Sequence, residues 1–291
     1  MSGQLVVRPR DEGVGADLGE AAGWSEYAAD LRGVLGAAVA ASGVDVLVID
    51  ALSLAAPLPE ELAWLRNGVA VAPDEAVGLF VEMVGRGTTP FFRLLGADVL
   101  RIEQSWDATV FVPMTQEIYD ALDDLRDEHL EIEWRRSEPD VLRVEVPVTA
   151  AADETFWGAV RAAAQNRTTL LSERWAFGRC GSRWFLVTPE NVDEVIATMR
   201  PRSLVSVALD PDLRVRLMDQ GFTAFVAPLQ PGELAYREVP VGVDDDDELS
   251  EVTSAGFGLF LADTELAELY AVVPDADGVV RQQWEDPKQF R

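Results

Sequence analysis

The chain has one cysteine, one histidine and one lysine, and these scarcities exclude several classes of site. With Cys180 alone, no intrachain disulfide can form, and zinc sites built from several Cys and His ligands are excluded. A Ser-His-Asp triad would have to use His129, which stands at the predicted junction of a helix and a strand. We interpret His129 as a structural residue that meets the negative end of that helix. We therefore assign no catalytic residue, no metal ligand and no cofactor.

Long uninterrupted apolar runs are also missing. The longest apolar stretch, residues 34–58, contains Asp45 and Asp50 and is broken by Gly43 and Pro57, so it does not predict a membrane span. The first residues are charged and lack the apolar core of a secretion signal. No Walker A, G-x-G-x-x-G or G-x-S-x-G motif occurs. The sequence predicts a cytoplasmic protein that does not bind membranes.

Acidic residues far outnumber basic ones, with 51 Asp and Glu against 24 Lys and Arg and a formal net charge of −27 at pH 7. Such a chain repels polyphosphates and anionic headgroups, which disfavours general nucleic-acid binding, and it attracts basic proteins. The alternative explanation of the charge is solubility alone. Lys288 is the only lysine, which together with abundant Ala, Val and Gly indicates a GC-rich bacterial gene.

The hydrophobic pattern predicts an α+β fold with mixed or antiparallel sheets and capped amphipathic helices. Helical spacing of apolar residues begins clearly at Ser25, Pro73 and Asp153, and we expect another helix from Pro59. A last helix is expected from Asp263. Its buried face would consist of Leu266, Leu269, Tyr270 and Val273.

The predicted domain organisation is an N-terminal α+β lobe, residues 1–150, and a C-terminal α+β lobe, residues 151–291. One intimate domain is the alternative, because no linker rich in Gly, Ser or Pro marks the boundary. A succession of strand, cap and helix recurs at residues 111–115, 185–188 and 259–263. The recurrence fits two related lobes, but the same succession is common in unrelated α+β chains.

The acidity is densest in residues 101–150, where thirteen Asp and Glu stand against five Arg. Here Leu130, Ile132 and Trp134 alternate with polar residues, which predicts a half-exposed strand paired with another at residues 142–146. The outward positions of the first strand form a regular negative row. We assign partner binding to five acidic residues in this segment, Asp123, Asp127, Glu131, Glu133 and Glu145.

A locally basic segment, residues 155–189, interrupts the acidity. It contains five arginines against Glu173 alone, interleaved with three tryptophans, and we call it the Arg/Trp segment. Arg and Trp are typical anchors of protein interfaces, and Arg beside aromatic rings suits the binding of anions. We assign anion binding to Arg174, Arg179 and Arg183. The alternative is that these arginines face the acidic segment and reduce its self-repulsion.

Three functions remain open on these observations. The first is a non-catalytic inhibitor, immunity or regulatory factor that covers a basic protein partner with its acidic surface. The second is an enzyme or a small-anion-binding protein that uses the Arg/Trp segment. The third is a subunit of a larger assembly. An α+β fold is compatible with all three.

Overall fold

A computed structural model describes residues 2–10, 24–86, 90–105, 108–122, 129–136, 147–175, 181–213, 221–239, 252–262 and 268–285. The predicted α+β class is confirmed, because helices and antiparallel sheets are both present. The chain forms two compact units. Unit 1 contains Met1–Glu145 and Arg281–Gln283, and unit 2 contains Val146–Val280 and Trp284–Arg291. The predicted lobes and their relation by duplication stay predictions, because compactness alone does not show that either part folds by itself.

Seven antiparallel strands form the sheet of unit 1. They are β1 (Ser2–Pro9), β2 (Leu47–Ser53), β3 (Ala70–Val71), β4 (Phe91–Gly96), β5 (Leu100–Gln104), β6 (Val110–Thr115) and β7 (Leu130–Arg136). Their order in the sheet is β3-β2-β4-β5-β6-β1-β7. The helices of this unit are α1 (Trp24–Ser42), α2 (Pro73–Arg86) and the short α3 (Gln116–Asp120).

One face of this sheet is apolar because side chains alternate along each strand. Leu5 and Val7 of β1, for example, are fully buried in the same core as Leu31 of α1 and Phe80 of α2. Burial of each such side chain stabilises the fold by about 1.5–3 kcal/mol. The helices therefore cover one face of the sheet and hold unit 1 together.

Strand β2 is bent at Ala51, whose φ of 51° lies in the left-handed region. Because of the bend, two backbone N–H groups of β2 do not donate to a neighbouring strand. They donate to side-chain oxygens instead. The N–H of Ala51 donates to Oε1 of Gln283 at 3.0 Å, and the N–H of Leu52 donates to Oδ1 of Asn67 at 2.8 Å. A residue close to the C-terminus thus completes the hydrogen bonding of β2.

The neighbouring residues of this C-terminal segment are also bonded within unit 1. Arg281 donates from Nη2 to the carbonyl of Ala63 at 2.8 Å and from Nε to that of Leu65 at 3.2 Å. Oε1 of Gln282 accepts from the N–H of Leu54 at 3.0 Å. The segment is therefore an integral part of unit 1, although the intervening chain belongs to unit 2.

The described residues of unit 2 form two helices of at least six residues and eight strands. The helices are α4 (Glu154–Ala164) and α5 (Val192–Ala197). The strands are β8 (Thr169–Arg174), β9 (Ser182–Val187), β10 (Leu204–Leu209), β11 (Phe222–Val226), β12 (Gly232–Glu233), β13 (Tyr236–Val239), β14 (Phe257–Ala262) and β15 (Leu269–Val272). They form a five-stranded sheet, β12-β9-β8-β10-β15, and a three-stranded sheet, β13-β11-β14.

The five-stranded sheet of unit 2 is apolar on both faces. Trp157 of α4 and Val195 of α5 pack with Phe185 of β9 on one face. On the other face, Leu170 of β8 packs with Phe225 of β11 in the three-stranded sheet. Unit 2 thus has three layers, with the five-stranded sheet in the middle.

Two helix predictions were wrong. From Pro59 the chain forms only a three-residue 3-10 helix, Glu60–Leu62. Where the last helix was expected, Leu269–Val272 is strand β15, which pairs antiparallel with β10. Four apolar residues in a row fit a buried strand as well as a helix, and pairing with β10 decides between them. The predicted strand at residues 142–146 lies outside the described residues.

The helices predicted from Ser25, Pro73 and Asp153 are present. Asp153 caps α4, since its carboxylate accepts from the N–H groups of Thr155 at 2.9 Å and Phe156 at 3.0 Å. Among the helices of the described ranges, none combines the length and the apolar character needed to span a membrane.

Candidate functional site

The acidic row predicted on β7 exists, but it is paired with arginines. Glu131 and Glu133 are both exposed. Arg8 of β1 has its Nε 3.8 Å from Oε2 of Glu131 and its Nη2 3.4 Å from Oε2 of Glu133. Arg135 donates to Glu133 at 2.7 Å, and this bond lowers the pKa of the carboxyl group and raises that of the guanidinium. The row is therefore an ion-pair network rather than a free negative surface. Asp123, Asp127 and Glu145 lie outside the described residues.

His129 lies at the start of β7 and contacts α1. Its Nδ1 is 2.7 Å from Oδ2 of Asp30, and its Nε2 is 3.5 Å from Oε2 of Glu26. These contacts join the strand to the helix and support the structural interpretation of His129, with carboxylates as its partners. The helix end expected before His129 lies outside the described residues.

The Arg/Trp segment is divided between opposite faces of the five-stranded sheet. In the pairing of β8 with β9, Arg174 stands opposite Ser182, and Glu173 stands opposite Arg183. Because adjacent residues of a strand point to opposite faces, Arg174 and Arg183 do not meet. Arg179 lies outside the described residues. The structure therefore does not bring Arg174 and Arg183 together.

On the face of the sheet that packs against the helices, Arg183 forms an ion pair with a buried carboxylate. Glu173 is 0% exposed and accepts from Nε of Arg183 at 2.7 Å and from the backbone N–H of Arg200 at 2.7 Å. Arg183 also donates to the carbonyl of Thr198 at 2.8 Å. A buried carboxylate is stable only when it is paired and hydrogen-bonded, so Arg183 has a structural role.

On the opposite face, unit 2 has a cavity of about 900 Å³ between its two sheets. The five-stranded sheet contributes Ser172, Arg174, Ser182 and Trp184. The three-stranded sheet contributes Phe222, Thr223, Glu238, Val239, Leu261 and Ala262. Trp175 and Trp284 complete the aromatic part of the wall. The lining thus combines aromatic rings and hydroxyl groups with one guanidinium and one carboxylate.

Arg174 is the cation of the cavity. Its side chain is exposed, and its Cζ lies 5.4 Å from the ring centroid of Trp284. It forms no ion pair with any carboxylate of the described ranges. The contact with Trp284 uses none of the guanidinium N–H donors, so these donors are available to a ligand.

The two tryptophans nearest to Arg174 are held in place by residues behind the wall. Nε1 of Trp284 donates to the carbonyl of Arg202 at 3.0 Å. The ring of Trp175 is contacted by Arg200 and Arg202, whose Cζ atoms lie 5.4 and 5.7 Å from its centroid. The aromatic wall is therefore fixed by cation–π contacts and a hydrogen bond before any ligand enters.

Arg202 itself has a strained backbone and a buried guanidinium. It has a φ of 73°, a left-handed conformation that is strained for a residue with a β-carbon, and it is only 6% exposed. Its Nε lies 3.1 Å from Oδ1 of Asp275, and its buried Nη1 has no hydrogen-bond partner among the described residues. Strain of this kind persists only where the surrounding structure enforces it and is frequent next to functional sites. Arg202 thus contacts both Trp284 and Trp175 from behind the cavity wall.

Glu238 is the anion of the cavity. It lies on the same face of β13 as Tyr236, whose hydroxyl donates to the carbonyl of Ser182 at 2.7 Å, so this face of β13 is turned toward the five-stranded sheet. In the three-stranded sheet, Glu238 stands opposite Thr223, which stands opposite Leu261. The exposed carboxylate of Glu238 is in no ion pair with the described residues.

Sequence reasoning identified Arg174 but missed Glu238 and Trp284. The alternation of Leu170, Ser172 and Arg174 is a local signal that places these residues on one face of a strand. No comparable signal connects Glu238 or Trp284 with that face, because they come from other elements far along the chain.

Comparison with known proteins provides no family for this chain. A scan of protein-family models finds none that matches, and neither the curated proteins nor the solved structures contain a significant match. Within the part of the chain that the structure describes, no group of three or more His, Cys, Asp or Glu could hold a metal ion. The chemistry of the cavity is therefore the basis for the proposed function.

Proposed function

We propose that unit 2 binds a small organic anion in the cavity between its two sheets, with Arg174 as the partner of the anionic group. The observation that carries this proposal is an exposed guanidinium that has no carboxylate partner among the described residues and that lies in a cavity with aromatic lining. The chain has a net charge of −27, and carboxylate partners for arginine are abundant in it. An arginine without one, inside a cavity, is the group expected to receive an anion from outside.

The size and lining of the cavity fit this function. Sites for small molecules commonly have volumes of about 300–1,000 Å³, with mostly apolar walls and a few placed polar groups. The cavity of about 900 Å³ lies within that range. Trp184 supplies a flat apolar surface, and Ser172 and Ser182 supply hydroxyl groups beside Arg174. Such walls favour an organic anion over an inorganic one, because an inorganic ion would leave the aromatic surface uncovered.

A binding function has more support than a catalytic one. Arg174 and Glu238 are the only titratable residues among the described lining residues, and arginine stays protonated throughout the physiological range. Glu238 alone would have to act as both acid and base. No nucleophile of the described lining is hydrogen-bonded to a general base, which nucleophilic catalysis requires.

A thermal-shift screen tests the proposal. The panel contains aromatic and aliphatic carboxylates, amino acids, sugar phosphates and nucleotides, each measured with the wild-type protein and with Arg174→Gln. Arg161→Gln is the matched control, since Arg161 lies on α4 at the opposite face of the five-stranded sheet and pairs with Asp193 at 2.9 Å. We expect at least one organic anion to stabilise the wild type and Arg161→Gln but not Arg174→Gln. Stabilisation by no member, or equal stabilisation of Arg174→Gln, would overturn the proposal.

The acidic protein-binding surface and the assembly subunit stay predictions. The net charge of −27 favours a basic partner. The pairing of Glu131 and Glu133 with Arg8 and Arg135 weakens the negative field at β7. Binding of an anion in unit 2 is compatible with either of these functions.

A further inference from the structure

The cavity of unit 2 carries one charge of each sign, and the two charges come from different sheets. Arg174 belongs to β8 of the five-stranded sheet, and Glu238 belongs to β13 of the three-stranded sheet. Both line the same cavity, and neither is in an ion pair with the other or with any further residue of the described ranges. Considering the described residues, the cavity offers two groups of opposite sign, one from each wall, that do not neutralise each other.

This arrangement disfavours ligands that carry charge of one sign only. A simple carboxylate that pairs with Arg174 is repelled by Glu238 in the same cavity. Glu238 in turn loses part of its hydration and gains no partner. A simple amine that pairs with Glu238 is repelled by Arg174 and leaves that guanidinium without a partner. A polyphosphate has more negative charge than one guanidinium can neutralise, and the net charge of −27 repels it further. A ligand that carries both an anionic and a cationic group satisfies both walls.

The uncharged lining residues indicate which side chain such a ligand carries between its charged groups and the wall. Trp184 presents an aromatic surface, and Leu261 is a purely apolar part of the wall. Aromatic faces attract an ammonium group through cation–π interaction and cover a flat apolar side chain. We propose, on the basis of the anion-binding function above, that the ligand is a zwitterionic aminocarboxylate with an aromatic side chain. Its carboxylate pairs with Arg174 and its ammonium group pairs with Glu238.

Three related compounds separate the contributions of the two charges. Phenylalanine carries both groups, 3-phenylpropionate carries only the carboxylate, and phenethylamine carries only the ammonium group. Isothermal titration calorimetry on the full-length wild-type protein is expected to give a dissociation constant for phenylalanine about tenfold or more below those of both analogues, as for the gain of one charge-assisted pair. This comparison needs no variant, so its result does not depend on how a variant folds.

Variants assign each charge to its residue. Glu238→Gln is expected to make phenylalanine bind no better than 3-phenylpropionate, and Arg174→Gln is expected to make it bind no better than phenethylamine. Glu194→Gln, on α5 at the other face of the five-stranded sheet, is the control for a lost carboxylate and should change nothing.

The outcomes distinguish this inference from the proposal on which it rests. If 3-phenylpropionate binds as tightly as phenylalanine and Glu238→Gln has no effect, the zwitterionic ligand is refuted while anion binding by Arg174 stands. The same holds if organic anions bind but phenylalanine, tyrosine and tryptophan do not. If neither an organic anion nor an aromatic amino acid binds, both proposals fail.

Discussion

Replacement of Gln282 by alanine should destabilise unit 1, although the residue lies near the end of the chain. Gln282 is 4% exposed, and its Oε1 accepts from the backbone N–H of Leu54 at 3.0 Å. Its Nε2 donates to Oγ of Ser53 at 3.2 Å. Leu54 is 1% exposed, so its N–H is a buried donor that loses its acceptor when the glutamine side chain is removed.

The expected loss follows from the unsatisfied donor. A buried N–H without an acceptor costs about 1–3 kcal/mol, and that range is the expected loss of stability of unit 1. If the variant unfolds locally around β2, amides there should exchange about five- to 150-fold faster, since 1.4 kcal/mol corresponds to about tenfold.

Hydrogen exchange followed by mass spectrometry measures this effect separately in the two units. Peptides from β2 of the Gln282→Ala variant should exchange faster than in the wild type, while peptides from β8 should not change. Gln165→Ala is the matched control, because Gln165 is exposed at the end of α4. Unchanged exchange in β2 would refute the conclusion that residues 281–283 are part of unit 1.

Three further predictions concern charged groups. Glu173→Ala removes a fully buried carboxylate from its arginine partners and should lower the free energy of unfolding by about 3–5 kcal/mol, as measured by urea unfolding. Glu194→Ala should lower it little. Similar urea midpoints for the two variants would contradict the pairing of Glu173. The pKa of Asp210 is lowered from 3.8 by hydrogen bonds from Arg167 and from the Thr168 N–H, so the stability it contributes is complete above about pH 4 and is lost as pH falls through the lowered value. Asp210→Asn should therefore flatten the acid limb of the stability–pH curve, and an unchanged limb would contradict this. Lysine at both Glu131 and Glu133 changes the local charge by +4, because it replaces two carboxylates beside Arg8 and Arg135, and it should slow salt-dependent association with a basic partner; an unchanged association rate would contradict the acidic binding surface.

Much of the fold is predictable because its signals are local. Asp153 caps α4 through bonds to residues two and three positions later, and Pro73 is at the first position of α2. The expected helix after Pro59 fails for a distant reason. Arg281 donates to the carbonyls of Ala63 and Leu65, so a partner from far along the chain holds the segment that follows Glu60–Leu62. The sequence around Pro59 contains no sign of that partner.

The site is predictable only in part for the same reason. Arg174 follows from its charge and its aromatic neighbours, but its separation from Arg183 depends on the register of β8 against β9. A shift of one residue would have put both arginines on one face. Glu238 and Trp284 reach the cavity only through the packing of a second sheet and of the C-terminal segment. Tertiary packing rather than local pattern thus determines the composition of the cavity.

The central claim is that Arg174 binds an organic anion in the cavity of unit 2. Its most direct test is calorimetric titration of the wild type and of Arg174→Gln with the best ligand from the thermal-shift screen. We predict that the variant binds this ligand at least about tenfold more weakly, the loss expected for one charge-assisted pair, while Arg161→Gln binds it like the wild type. Equal dissociation constants for the wild type and Arg174→Gln would contradict the claim.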